Sequence, residues 1–256
     1  IQADGEYIIY MGDDDMFIPG ELDLFLQFLL TAKEIGYILR AYRNIKFGGV
    51  EEKFVYYPTK KLFNPGEATY VELYRKSVFI SGVTFRRECA LEYITAEFDG
   101  TLLYQLYLVA EVCLRHPAVA YDRPFTQGVI ESKEFYFGSS DAEKEFRIPG
   151  QITIEGEIKF ISSFCYIADF IDKKYGLKSK NKILVDMSKY SFPMISTVRN
   201  HGLKIFIRYV RELKKIGLDC TFYFHIYVVG LLLLGPNICK RIIHGIKFCI
   251  GKTPAL

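Results

Sequence analysis

Three consecutive aspartates, Asp13, Asp14 and Asp15, are the residues whose type and spacing point most directly to chemistry in this 256-residue chain. Adjacent carboxylates repel one another, so such a cluster is stable in an exposed turn or around a bound cation. Their hard oxygen atoms suit Mg²⁺ or Mn²⁺. The alternative is an acidic loop that only caps the helix beginning at Pro19-Gly20. An EF-hand is excluded, because the glycine and glutamate positions of its loop are missing.

The other residue types that often carry chemistry show no ordered pattern. The four histidines, His116, His201, His225 and His244, have no partners at metal-ligand spacing, and we interpret them as structural. The six cysteines form no Cys-x-x-Cys pair and are predicted to be buried free thiols. No nucleophile elbow, P-loop or dinucleotide-binding fingerprint is present.

The segments around the aspartates alternate between strand and helix patterns. Residues 6–11 read as a strand buried on both faces, and a helix follows from Pro19-Gly20 to Gly36. Further strands are predicted at 37–47, at 77–86 with an interruption at Gly82, and at 118–121, with helices at 67–76 and 101–115. This alternation predicts an α/β domain. The acidic triplet would then lie at the carboxyl edge of its sheet, where such folds bind ligands.

The second half of the chain shows helix patterns in place of alternating strand and helix patterns. Amphipathic helices are predicted at 156–174, 183–198 and 203–215, so we place a domain boundary between residues 145 and 146. The net charge of +3 gives no reason to expect a nucleic-acid partner. Residues 201–252, however, carry nine Lys or Arg against Glu212 and Asp219, which favours an anionic surface as partner.

An uncharged apolar run at 221–234 lies within this basic region. Its fourteen residues are short of the ~20 that a membrane-crossing helix needs. Basic and apolar residues are interleaved on both sides of it, at Lys204, Arg208 and Arg211 and again at Lys240 and Arg241. We therefore predict that 146–256 associates with an anionic membrane surface as interfacial helices. The alternatives are a packed helical subdomain and a re-entrant hairpin around Gly235-Pro236.

Two stretches resemble glycosyltransferase family 2, whose members have the GT-A fold. ADGEYIIYMGDDDMFIPGEL resembles the segment that carries the family's DxD motif. SVFISGVTFRRECALEYITAEFDGTLLYQLYLVAEV resembles the acceptor side of transferases that build O-antigen and capsule. Together the resemblance covers roughly residues 1–130. It implies a GT-A-like mixed sheet with flanking helices, incomplete at the N-terminus and followed by a mainly helical region.

The resemblance also implies roles for individual residues. Asp13 and Asp15 would hold Mg²⁺ or Mn²⁺, and with Asp14 they would bind the diphosphate of a nucleotide-sugar through that metal. Which of their oxygens contact the metal and which contact the ribose stays open. The general base of the family is an aspartate in a Glu-Asp pair. That pair is absent here, and Asp99 is the nearest carboxylate. Weaker candidates are Glu97 and Glu111, and Asp99 could instead cap the following helix. Further candidates for contacts with the phosphates are Arg86, Arg87 and Arg123, and the favoured alternative for each is an ordinary surface arginine.

These roles describe an inverting, metal-dependent hexosyltransferase that transfers sugar to a lipid-linked glycan at the cytoplasmic face of the bacterial inner membrane. Family members carry a nucleotide-binding half before the DxD motif, so residues 1–256 alone are expected to be inactive. The alternative is a non-catalytic, membrane-associated remnant of such an enzyme. A nucleotidyltransferase would also place acidic residues at a strand end, but it would not account for the second stretch.

Overall fold

The computed structural model of the chain describes residues 3–46, 50–99, 101, 103–129 and 153–249. It divides into two compact units, residues 1–133 and 134–254. The boundary predicted between 145 and 146 lies outside the described residues.

The first unit is built on a seven-stranded mixed sheet with strand order β1-β6-β3-β7-β2, in which β4 pairs with β3 and β5 with β7. The β3–β7 pair is parallel and the other pairs are antiparallel. The prediction of an α/β domain with a mixed sheet is confirmed. The strands are β1 (Tyr7–Ile9), β2 (Asp15–Phe17), β3 (Tyr37–Lys46), β4 (Val50–Phe54), β5 (Lys61–Phe63), β6 (Val83–Arg86) and β7 (Ala118–Val129).

The helices described in this unit are α1 (Glu21–Thr31), α2 (Glu67–Tyr74), α3 (Arg87–Leu91) and α4 (Tyr104–Arg115). Helix α1 packs on β3 and β7 through a buried, largely aromatic cluster of Phe25, Leu29, Ile38, Val119, Tyr121 and Phe125. Full burial of each large apolar side chain stabilises the fold by ~1.5–3 kcal/mol. The central strands β3 and β7 are thereby held in place beside the acidic turn.

Three details of the sheet differ from the sequence prediction. Strand β1 lies at one end of the strand order and is only half-buried, because no further strand of the described sheet covers its outer side. The strand predicted at 118–121 continues to Val129, because Asp122 and Arg123 bulge out of the register and pairing resumes at Pro124. The strand predicted at 77–86 is a 3₁₀ turn, Ile80–Gly82, followed by β6.

The second unit is helical in its described part, as predicted. Its helices are α5 (Ile154–Tyr175), α6 (Ser179–Lys189), α7 (Phe192–Arg199), α8 (Leu203–Ile216), α9 (Phe222–Leu233) and α10 (Gly235–Cys249). The single helix predicted at 183–198 is wrong: it divides into α6 and α7, because Pro193 lacks a backbone donor and suits only the first turn of a helix. Among residues 153–249 and the described part of the first unit, no helix is both long and apolar enough to cross a membrane.

Candidate functional site

The acidic residues lie in a tight turn between β1 and β2, which are the first and last strands in the order of the sheet. The backbone N–H of Asp15 donates to the carbonyl of Gly12 over 3.3 Å, so Asp13 and Asp14 form the tip of the turn. Only residues 10–14 separate β1 from β2. Because this connection includes the tight turn at Gly12–Asp15, it is much shorter than an extended segment, and the sheet curls so that its two ends approach each other.

Ser81 anchors this turn. Its hydroxyl oxygen accepts a hydrogen bond from the backbone N–H of Gly12 at 2.7 Å, and the hydroxyl donates to Asp15 Oδ2 at 2.5 Å. The Ser81 carbonyl in turn accepts from Thr126 Oγ1 on β7 at 3.0 Å. One buried residue therefore ties the acidic turn to the centre of the sheet. The sequence predicts Ser81 only as part of a strand, and its anchoring role has no local sequence signal.

Two glycines leave room for the carboxylates of the turn. A Cβ on Gly12 would lie 2.9 Å from both Asp14 Oδ1 and Asp15 Oδ2, so these two oxygens lie within about 6 Å of each other. Any side chain at Gly12 would displace one of them. The acidic pair that converges over this glycine is thus Asp14 and Asp15.

Gly12 and Gly128 together form a cradle in which the carboxylates of the turn lie. Gly128 is the cross-strand neighbour of Asp15 on β2 and of Asn44 on β3. A Cβ at Gly128 would lie 2.9 Å from Asp15 Oδ1 and 2.7 Å from Asn44 Oδ1. The glycine therefore lets a carboxylate and a carboxamide oxygen approach from both sides. Asn44 adds a neutral oxygen donor of the kind that hard cations accept.

The charges around the turn are uneven. Asp13 and Asp14 are exposed, whereas Asp15 is half-buried. Burial raises the pKa of Asp15 above its usual range, and the Ser81 hydrogen bond and the Arg40 charge oppose this only in part. Ionised Asp15 would be favoured further by a cation bound beside it.

A buried arginine lies beneath the turn. Arg40 Nη2 donates to the carbonyls of Tyr10 at 2.7 Å and Val83 at 3.0 Å, and its guanidinium carbon lies 4.7 Å from the centroid of the Phe125 ring. Its Nε and Nη1 atoms have no hydrogen-bond partner among the described residues. Burial lowers the pKa of Arg40 to about 9, although the negative charge of Asp15 opposes this change.

A divalent ion shared with a substrate would need fewer protein ligands than a closed metal cage. In the described part of the chain, no three His, Cys, Asp or Glu residues are gathered closely enough to form a metal cage. Mg²⁺ at phosphate-binding sites commonly uses one or two carboxylates, with water and phosphate oxygens completing its shell. Asp14 and Asp15, with Ser81 and Asn44 beside Asp15, are a hard donor set of that type.

The candidate bases lie in different environments. Asp99 is exposed in a turn, where its N–H donates to the carbonyl of Ala96 at 3.1 Å. It does not cap α4, because the N-terminal cap of that helix is Leu103. Glu97 is exposed in the same turn. Glu111 is buried within α4 and lies 2.9 Å from Arg115 Nη1, so it is not accessible to an acceptor hydroxyl.

The expected phosphate-binding arginines do not gather at the acidic turn. Strand β6 runs antiparallel to β1 and pairs Arg86 with Tyr7, so Arg86 and the following Arg87 lie at the opposite edge of the sheet. Arg87 Nε donates to the carbonyl of Ala3 there. Arg123 donates to both carboxylate oxygens of Glu21, over 2.9 and 2.7 Å. The structure thus places Arg86 and Arg87 away from the acidic turn, and Arg123 already has a carboxylate partner.

The remaining candidate residues have ordinary roles. Cys89, Cys113, Cys165, Cys220 and Cys239 are free thiols as predicted, but Cys220 is exposed rather than buried. His225 Nε2 lies 3.0 Å from the carbonyl oxygen of Asp219, a local contact within the second unit.

Comparison with known proteins does not assign the chain: no protein-family model matches it, and a search of curated proteins finds no significant match. The chemistry of the acidic turn must therefore be judged from its own geometry and from the sequence resemblance.

Proposed function

We propose that this chain belongs to a metal-dependent, inverting glycosyltransferase of the GT-A type, which transfers a sugar from a nucleotide-diphosphate donor to a lipid-linked glycan. The observation that carries the proposal is the convergence of the Asp14 and Asp15 carboxylates over Gly12, where Ser81 fixes the orientation of Asp15. The resemblance of this stretch to the family 2 DxD segment supplies the reaction class.

The acidic turn would bind the diphosphate end of the donor. Asp14 and Asp15 would hold Mg²⁺ or Mn²⁺, and Asp13 lies exposed at the tip of the same turn. When bound, such an ion neutralises the negative charge that develops on the leaving diphosphate. Ser81 and the cradle of Gly12 and Gly128 keep the carboxylates in place before the donor arrives, so little reorganisation is needed.

The acceptor half of the reaction needs a carboxylate that removes the proton from the attacking hydroxyl. Asp99 is our candidate, because it lies in the stretch that resembles the acceptor side and its exposure leaves it open to a substrate. The hydroxyl oxygen would attack the anomeric carbon as the bond to the diphosphate breaks, which inverts the configuration at that carbon.

Metal binding by the 256-residue chain provides a direct test. We expect electron paramagnetic resonance to show Mn²⁺ leaving the free pool when the chain is added to the metal alone. Asp15→Asn should weaken this binding at least tenfold, because it removes a ligand charge that Ser81 holds in place. Asp23→Asn is the matched control, since Asp23 is an exposed aspartate on α1.

Equal Mn²⁺ binding by the wild type, Asp15→Asn and Asp23→Asn would contradict the metal assignment. A second readout is sugar transfer by the proposed transferase, which should be lost with Asp15→Asn and on addition of EDTA. Transfer that persists undiminished in EDTA would contradict the proposed reaction, even if the turn binds Mn²⁺.

A further inference from the structure

Helix α9 carries a continuous apolar stripe that the described residues of the second unit leave exposed. Phe222, Ile226, Val229 and Leu233 are spaced four, three and four residues apart, so they share one face of the helix. Phe222 is 75% exposed and Leu233 is 78% exposed, and the two residues between them are also exposed. Large apolar residues concentrated in this way mark an interaction surface.

The opposite face of α9 already provides its packing. Phe224 and Leu231 are buried, and the Tyr227 hydroxyl donates to the carbonyl of Lys189 at the end of α6 over 3.0 Å. These contacts fix the rotation of the helix about its axis. The exposed stripe therefore faces away from the core of the second unit within the described residues.

The next helix, α10, repeats the pattern and adds positive charge. Gly235, with φ of 74°, turns the chain between the two helices, and Cys239 of α10 packs against Gly230 of α9. Ile238, Ile242 and Ile246 recur every four residues and are exposed. Lys240 and Arg241 are exposed on the same helix. From residue 220 to the end of the sequence there is no aspartate or glutamate.

We infer that the α9–α10 surface, defined by Phe222, Ile226, Val229 and Leu233 of α9 and flanked by the exposed basic residue Arg241 of α10, docks onto an anionic lipid bilayer. Uncharged apolar side chains enter the acyl boundary, while neighbouring lysine and arginine contact the headgroups. Helix α9 has twelve residues and is ~18 Å long, so it lies along the bilayer rather than across it. The absence of acidic residues favours a lipid surface over a protein partner, whose surface commonly pairs charges of both signs.

This inference does not depend on the proposed sugar transfer, because lipid vesicles contain no donor or acceptor. The chain has no tryptophan, so Phe222→Trp creates a single fluorescent reporter within the surface. Leu30→Trp is the matched control, since Leu30 is 73% exposed on α1 in the other unit. With vesicles of phosphatidylcholine and phosphatidylglycerol, we expect the emission of the Phe222→Trp variant to shift to shorter wavelength and to be quenched by brominated acyl chains. The Leu30→Trp variant should show neither change.

Flotation of vesicles tests the same surface without a reporter. Ile226→Glu combined with Val229→Glu should reduce the bound fraction at least tenfold. Leu30→Glu combined with Leu62→Glu, which adds the same charge at exposed apolar sites of the first unit, should not. Urea unfolding of each variant verifies that it is folded.

Two double variants test the contribution of positive charge to vesicle binding. Lys240→Gln with Arg241→Gln should lower binding to anionic vesicles severalfold. Lys33→Gln with Lys178→Gln, exposed lysines elsewhere, should leave it unchanged. Unchanged Phe222→Trp fluorescence with every vesicle would overturn the inference. So would a shift that appears with rising protein concentration in the absence of lipid, because the surface would then bind a second copy of the chain.

Discussion

Replacing Ser81 by alanine should loosen the acidic turn at a cost that its contacts allow us to work out. The substitution removes a neutral hydrogen bond from Gly12 N–H and a charge-assisted one to Asp15 Oδ2. Such bonds contribute roughly 1 and 1.5–3 kcal/mol to stability respectively. Asp15 is only half-buried, so water replaces part of the loss. We expect the free energy of unfolding of the first unit to fall by about 2–3 kcal/mol at neutral pH.

The loss should depend on pH, because most of it belongs to ionised Asp15. The Ser81 hydrogen bond lowers the pKa of Asp15, so its charge-assisted part is present above that pKa and disappears as the pH falls through it. Urea unfolding followed by circular dichroism should therefore show a larger difference between wild type and Ser81→Ala at pH 7 than at pH 3. Carbon-13 NMR of the Asp15 carboxyl should show its pKa rising further in the variant.

Thr84→Val is the matched control in the same sheet. The Thr84 hydroxyl is buried on β6 and has no hydrogen-bond partner among the described residues, so its removal should be neutral or slightly stabilising. The reasoning about the turn would be refuted if Ser81→Ala destabilised the chain no more than Thr84→Val, or if its effect were the same at both pH values.

The remaining predictions concern the arginine beneath the turn, the choice of metal ligand and the base. Arg40→Met should change the free energy of unfolding by less than ~2 kcal/mol in urea titrations. A pKa of about 9 for Arg40, against a usual value above 12, corresponds to a cost of about 4–5 kcal/mol for burying the charge. The variant is freed from this cost, which offsets the hydrogen bonds and ring contacts that it loses. A fall of more than ~4 kcal/mol in the free energy of unfolding would contradict this. Asp14→Asn should weaken Mn²⁺ binding more than Asp13→Asn, since Asp14 Oδ1 lies next to Gly12. A larger effect of Asp13→Asn would show that Asp13, and not Asp14, is the metal ligand beside Asp15. If the protein is the proposed transferase, Asp99→Asn should lower its turnover about a hundredfold with donor binding unchanged. Normal turnover alongside an inactive Glu97→Gln variant would show that the base is misassigned.

Local patterns were sufficient for the class of the fold and for the position of the acidic turn. The alternation of strand and helix signals predicted the α/β unit, and the amphipathic periodicity at 203–215 predicted α8 to within a residue. Asp13, Asp14 and Asp15 were recognisable because adjacent carboxylates are unfavourable wherever they occur. Such features depend on the preferences and charges of neighbouring residues, which a sequence displays directly.

The partners of the turn depended instead on the tertiary structure. Ser81 is 69 residues from Gly12 in the chain, and Asn44 and Gly128 meet Asp15 only through the register of three strands. Register and strand direction are set by pairing between distant segments, so no local pattern displays them.

The dependence on pairing between distant segments also explains why the sequence did not show where the arginines lie. Arg86 and Arg87 were candidates for contacts with the phosphates, and the antiparallel direction of β6 carries them away from the acidic turn. Arg40 has the sequence context of an ordinary strand residue, and only the packing of α1 and β7 around it makes it a buried cation beneath Asp15. Burial of a charge is a property of everything folded around it, which is why the sequence alone determined the acidic turn and the tertiary structure decided what surrounds it.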